Sequence, residues 1–250
     1  MADPTLVLAI LAVSAFVPPL VFLSWVRRTE KYGQEPWGRV LRTFFFGAIF
    51  AVILGVILSL VLLAVFQRID RVYVFSGRNP NIETIVLALL IAPFAEEFAK
   101  GVGVYLARPL IDEPEDGIVY GAASGFGFAA TENLLYGLAA LVGGGTIQQS
   151  ILLVGLRSIS SALLHGSSTA TFGYGIGVSR LWPSHFRVFP YYLAAVAMHA
   201  SFNFVASLGD LSQQRVGDSI VLVGAIVIAF VAFAAIRAKI AKEDARRHQW

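Results

Sequence analysis

Seven apolar stretches dominate this chain, near residues 5–26, 40–66, 84–107, 117–142, 148–178, 189–208 and 219–237. Each meets or exceeds the ~20 residues that a helix needs to cross a bilayer. Inside hydrocarbon every backbone polar group must be satisfied within the protein, so such segments fold as helices. The expected class is therefore all-α, a polytopic membrane helix bundle of about seven transmembrane helices. An eighth would arise if the long fifth stretch contains a break. The chain is 57% hydrophobic and 14% charged, whereas soluble domains carry about 25% charge. With no polar segment long enough to fold alone, residues 1–250 read as one integral membrane domain.

The basic residues set its orientation. If the N-terminus lies outside, thirteen Lys and Arg fall on the cytoplasmic side: Arg27, Arg28, Lys31, Arg39, Arg42, Arg108, Arg180, Arg187, Arg237, Lys239, Lys242, Arg246 and Arg247. Only Arg68, Arg71, Arg78 and Arg215 fall on the other. The positive-inside rule then gives N-out and C-in, the parity of seven helices. The first stretch runs directly into "WVRRTEKYG" and reads as a retained anchor. The basic tail "RAKIAKEDARRHQW" reads as a topology anchor next to anionic lipid. Because the basic residues flank apolar spans, they do not form a nucleic-acid footprint. No cysteine is present, which excludes disulfides, thiolate nucleophiles and Cys-ligated zinc.

Ionisable side chains at bilayer depth are costly, roughly 2.5–3.5 kcal/mol each on insertion scales, and usually mark function. Here they recur in four successive stretches: Glu96, Glu97 and Lys100 in the third, Glu132 with Asn133 in the fourth, His165 in the fifth, and His199 with Asn203 in the sixth. Glu96, Glu132, His165 and His199 lie near the middle of their spans and predict one polar layer. Glu96 and Lys100 share a helix face at i,i+4, as do Phe128 and Glu132, and His199 and Asn203. Glu97 is turned about 100° away from Glu96, so the two carboxylates are expected to take different partners, and Lys100 to neutralise one of them.

Two further features bear on packing. Pro93 frees the carbonyl of Leu89 and loosens the helix just before the glutamates. In "DGIVYGAASGFGFAATENLLYG", Gly117, Gly121 and Gly125 recur every four residues and predict a flat stripe for close helix approach. Gly166, Gly173, Gly175 and Gly177 are expected to serve the fifth stretch in the same way.

Three glutamates and two histidines at one level suit the activation of water. A glutamate can act as general base, with His and Asn donors stabilising the oxyanion formed when water attacks a peptide carbonyl. Equally, His165, His199 and a carboxylate can hold a zinc ion with an open water position. The serines around His165 lack a Gly-x-Ser-x-Gly elbow, which argues against a serine nucleophile. Arg157, about two turns before His165, reads as a snorkelling or pairing residue. Buried Glu, Lys and His would also suit a proton-coupled transporter, and the same cavity would suit a non-catalytic scaffold that binds peptides.

The motifs "EEFAK" (Glu96 to Lys100), "DEPEDGIVYG" leading into "GFAATENLLY", the isolated His165 and "HASFN" (His199 to Asn203) together resemble the PrsW family of intramembrane proteases. That family is distantly related to the CAAX prenyl endopeptidases and bacteriocin-processing membrane proteases. The resemblance spans about residues 84 to 205, and a catalytic core of about 84–208 follows from it. It implies an integral membrane endopeptidase acting on membrane-anchored proteins such as anti-sigma factors, in a prokaryotic cytoplasmic membrane. Carried onto this chain, the functional set is Glu96, Glu97, Lys100, Glu132, His165, His199 and Asn203. Glu132 stands where the prenyl endopeptidases place histidine, and Lys100 replaces an arginine at shorter spacing, so their metal-free glutamate mechanism does not transfer directly. Glu96, Glu132, His165 and His199 are the candidate ligands for Zn2+. The expected roles are water activation or metal ligation for Glu96, and pairing with Lys100 or base function for Glu97. Glu132, His165 and His199 complete the site, and Asn203 polarises the scissile carbonyl.

Overall fold

The computed structural model describes residues 3–73, 81–182, 187–208 and 217–247. Arg78, Arg215, His185 and His248 lie outside these. Among the described residues there are helices and turns but no strand. In chain order the helices are α1 (Pro4–Arg27), α2 (Trp37–Phe46), α3 (Val52–Tyr73), α4 (Ile82–Val86), α5 (Ala92–Ala107), α6 (Pro114–Val142), α7 (Ile147–Leu181), α8 (Val188–Ala206) and α9 (Asp218–Arg247). A π turn at Gly47–Ala51 joins α2 to α3, and another at Leu87–Ile91 joins α4 to α5. Each of these pairs therefore forms one long continuous helical run.

Six helices are long and apolar enough to cross a membrane, among them Trp37–Arg71 as one unit. The seventh helical run, 82–107, misses that set because Glu83, Glu96, Glu97 and Lys100 interrupt its apolar surface. α7 is unbroken over its 35 residues, so the fifth stretch holds no extra loop. One end of the bundle gathers the end of α1, the starts of α2 and α6, and the ends of α7 and α9. There Asp244 accepts hydrogen bonds from the backbone N–H of Lys31 and Tyr32 at 3.1 and 3.2 Å. Tyr120 donates to Glu35 at 2.5 Å, and Arg108 donates to the carbonyl of Ser179 at 3.5 Å. The residues that the sequence assigns to the cytoplasm border this end.

α6 is the central helix, with 19 of its 29 residues buried, and its closest partner is α7. The predicted glycine stripe forms this contact. A Cβ at Gly117, Gly121 or Gly125 would collide with the backbone of Gly173, Thr169 or His165 respectively. On the other side of α6, Gly127 lies against the carbonyl of Phe44. Lipid tails are as apolar as leucine, so such tight van der Waals contact, rather than escape from water, holds membrane helices together. Gly166 faces the Phe126 ring, Gly175 faces Tyr191, and Gly177 approaches Pro114. The largest packed cluster joins Phe22, Leu23, Phe44, Phe126 and Phe233 from α1, α2, α6 and α9.

Candidate active site in the membrane

α5, α6, α7 and α8 each bring ionisable groups to one point. Glu97 and Lys100, both fully buried, pair at 2.6 Å. The pair is i,i+3: of the two carboxylates that Lys100 could neutralise it takes Glu97, one of the two roles expected for that residue, and leaves its i,i+4 neighbour Glu96 unpaired with it. Glu97 is further saturated. Its Oε1 also accepts from Ser168 at 2.9 Å and contacts His199 Nδ1 at 3.0 Å, while Oε2 accepts from Thr169 at 2.9 Å. A carboxylate with this many donors is a structural anchor, because burial without them would cost far more than the bonds return.

Glu97 and Lys100 fix the two imidazoles. His199 donates its Nδ1–H to the carboxylate of Glu97, which leaves the Nε2 lone pair of that ring free. Lys100 Nζ lies 2.8 Å from His165 Nδ1. A charged Lys100 donates there, so the ring proton of His165 sits on Nε2 and points at Glu132 Oε2, 3.1 Å away. The two rings meet edge to face with centroids 4.6 Å apart. Phe128 covers one side, 5.5 Å from the His165 ring and 4.7 Å from Lys100 Nζ.

Glu96 behaves differently from its neighbour. Its Oε2 is buried without a hydrogen-bond partner and lies 3.8 Å from His199 Nε2. Glu132 is held by Arg157, whose Nη2 approaches Oε2 at 3.0 Å while Nε donates to Asn133 Oδ1 at 3.0 Å. The Arg157 guanidinium stacks on Tyr136 at 3.7 Å. Glu96, Glu132, Arg157, His165 and His199 line a cavity of about 670 Å³. Its outer wall is α3, where Val56 and Leu60 both line the cavity and are exposed on the molecular surface.

Asn203 also lines this cavity, but its amide donates to the carbonyl of Ala88 at 2.8 Å. It thereby ties α8 to the π turn that precedes Pro93. Tyr192 ties α8 to the start of α5 beyond that turn, donating to the carbonyl of Phe94 at 2.8 Å. The expected loosening before the glutamates takes this form: a wide turn in which the carbonyl of Ala88 is bonded to α8. Of the partners that sequence reasoning missed, Ser168 and Thr169 follow His165 by three and four residues. They share its helix face, which is the signal that could have identified them.

The donor chemistry also admits a metal. Ligand atoms of Glu96, His165 and His199 lie within 4.8 Å of one another. Glu96 Oε2 and His199 Nε2 present free lone pairs, and one carboxylate with two imidazoles is an established hydrolytic zinc set. His165 would join it through Nε2 as the neutral ring protonated on Nδ1, with Lys100 passing a proton to Nδ1 and the Nε2 proton leaving the site.

The PrsW family intramembrane metalloprotease profile matches residues 35–236. The chain belongs to that family. Relatives named Protease PrsW match it in sequence. Protease PrsW of Bacillus subtilis (strain 168) is 29% identical over 199 residues, covering 77% of this chain and 80% of the relative. Protease PrsW of Clostridioides difficile (strain 630) is 25% identical over 199 residues, 76% of each chain. That of Geobacillus kaustophilus (strain HTA426) reaches 36% over 131 residues, 51% of this chain and 52% of the relative. No solved structure matches this chain. As a member of the PrsW family it is an integral membrane hydrolase, a protease of the metallo class, and its substrate is a protein in the membrane.

Proposed function

We propose that this chain is an endopeptidase that cuts membrane-anchored regulatory proteins, of the anti-sigma-factor kind, in the cytoplasmic membrane of a prokaryote. Its catalytic core is residues 84–208, and the cavity behind α3 receives the substrate. The observation that carries the reading is the buried, unpartnered Glu96 Oε2 beside the free Nε2 of His199. A fixed carboxylate and imidazole with open lone pairs, next to a cavity, form a site built to handle water.

In this reading Glu96, His165 and His199 hold a zinc ion, which supplies Lewis acidity toward a carbonyl oxygen and makes a bound water more acidic. Glu132, steered by Arg157, faces the same space and accepts the proton of the attacking water. Arg157, the cation that lines the cavity, is available to stabilise the developing oxyanion. Glu97 and Lys100 are positioning residues that fix the two rings, and Asn203 positions α5 by holding the π turn.

The test uses purified protein in nanodiscs with a membrane-anchored peptide library. Glu96→Gln and His199→Ala should each lower cleavage by at least about 10²-fold, the usual worth of a positioned acid–base group. The wild type should carry close to one zinc per chain, lose activity to chelator and regain it with zinc. Full proteolysis in both variants would overturn the assignment. Activity that needs Glu96 but no metal would overturn the zinc.

A further inference from the structure

A second group of carboxylates lies far from the catalytic cavity, at the basic end of the bundle. Glu30 comes from the loop between α1 and α2, and Glu113 and Asp116 from the start of α6. Their ligand oxygens all lie within 4.8 Å of one another. Two oxygens held ~2.4 Å from one calcium ion can be no more than ~4.8 Å apart, so the spacing suits a shared ion.

Helix capping explains only part of this cluster. Glu113 and Asp116 form the capping box of α6, and Asp116 Oδ2 accepts the backbone N–H of Asp112 and Glu113, both at 2.8 Å. Negative charge is favourable at a helix N-terminus. Glu30 has no part in the cap. It is fully buried, Oε2 accepts the backbone N–H of Glu35 at 3.2 Å, and Oε1 has no hydrogen-bond partner. The nearby Arg39 is spent on Glu35, at 3.7 Å. Among the described residues no lysine or arginine forms an ion pair with Glu30 or Asp116. Buried carboxylates this close cannot all stay ionised without a positive charge between them.

We propose that Glu30, Glu113 and Asp116 form a site for a hard divalent cation of the Ca2+ or Mg2+ class. All the donors are carboxylate oxygens, the chemistry such ions prefer, with no nitrogen to favour zinc. Glu113 is only half-buried, which leaves an entry path and room for water ligands. Gly33, at φ 69°, turns the loop back so that the chain passes close to Glu113 Oε2. The ion staples loop 28–36 to the start of α6, the helix that carries Glu132, and is separate from the catalytic metal.

Full-length protein in nanodiscs, stripped with chelator, would be titrated with CaCl2, MgCl2 or MnCl2, reading thermal stability and bound radioactive calcium. The wild type and His199→Ala should both bind one hard ion per chain and melt several degrees higher with it. Glu30→Gln should weaken binding by an order of magnitude or more, as loss of one ligand charge does. Wild-type protein that binds no ion at millimolar concentration overturns the site. So does stability that falls with rising pH and ignores all three cations, because a proton shared between Glu30 and Asp116 then fills the gap. The wild-type ion count decides the matter even if Glu30→Gln fails to fold.

Discussion

Glu96 and Glu97 are adjacent in sequence and opposite in circumstance. Glu97 is wrapped by Lys100, Ser168, Thr169 and His199, whereas Glu96 keeps an oxygen free. Replacing one partner of a buried ion pair leaves the other uncompensated, at a cost of about 3–5 kcal/mol. Lys100→Met and Glu97→Gln should therefore each lower stability by that order, seen as a large drop in melting temperature. Glu96→Gln should leave the melting temperature within a few degrees of wild type while removing activity. Equal destabilisation in all three would show that Glu96 is structural as well. That ionisable groups would cluster here was legible from their rarity in apolar stretches. Which carboxylate takes the lysine was not, because i,i+3 and i,i+4 are both helix neighbours and contacts from α7 and α8 decide between them. Asn203 was read as a group for the scissile carbonyl, and its hydrogen bond to Ala88 depends on a π turn with no sequence signature.

At the scale of helices, the glycine stripe of α6 and the open wall at α3 make different predictions. Gly121→Val would drive a side chain into the backbone of Thr169 and Ala170. Overpacking of this kind costs about 1–3 kcal/mol or more, so the variant should melt lower and lose activity together. Gly55 sits on α3 with its Cβ position 3.5 Å from Glu96 Cγ and 3.3 Å from Phe128, at the lining of the cavity. Gly55→Ala should narrow the cavity there, with the Phe128 ring giving by a few tenths of an ångström and the helix contact kept. Cleavage of membrane-anchored substrate should fall while melting temperature and metal content stay near wild type. Unchanged cleavage would mean that substrate does not enter past α3. The α6–α7 stripe was readable because a four-residue glycine period has one structural use in a membrane helix. The role of α3 was not, since nothing in its leucine- and valine-rich sequence separates a cavity wall from a lipid-facing surface.

Among the described residues there are seven helical runs, with the end of α1 and the end of α9 together at the basic end. A chain crossing this way has its termini on opposite sides, and the basic excess predicts that the C-terminal side is the cytoplasmic one. A cytoplasm-dependent fluorescent reporter should glow when fused after Trp250 and stay dark when fused before Met1; the reverse would invert the assigned faces. Hydropathy by itself fixes the all-α class, the number of long spans and the residues that must sit at bilayer depth, because each depends on one helix meeting lipid. The third run shows the margin of that argument: its charges remove it from the purely apolar set, yet the same charges mark it as the functional helix. Only the tertiary structure decides which lone pairs stay open. Whether a buried oxygen or nitrogen is spent on a neighbour depends on groups tens of residues away, brought within 3 Å by helix packing that no local pattern encodes.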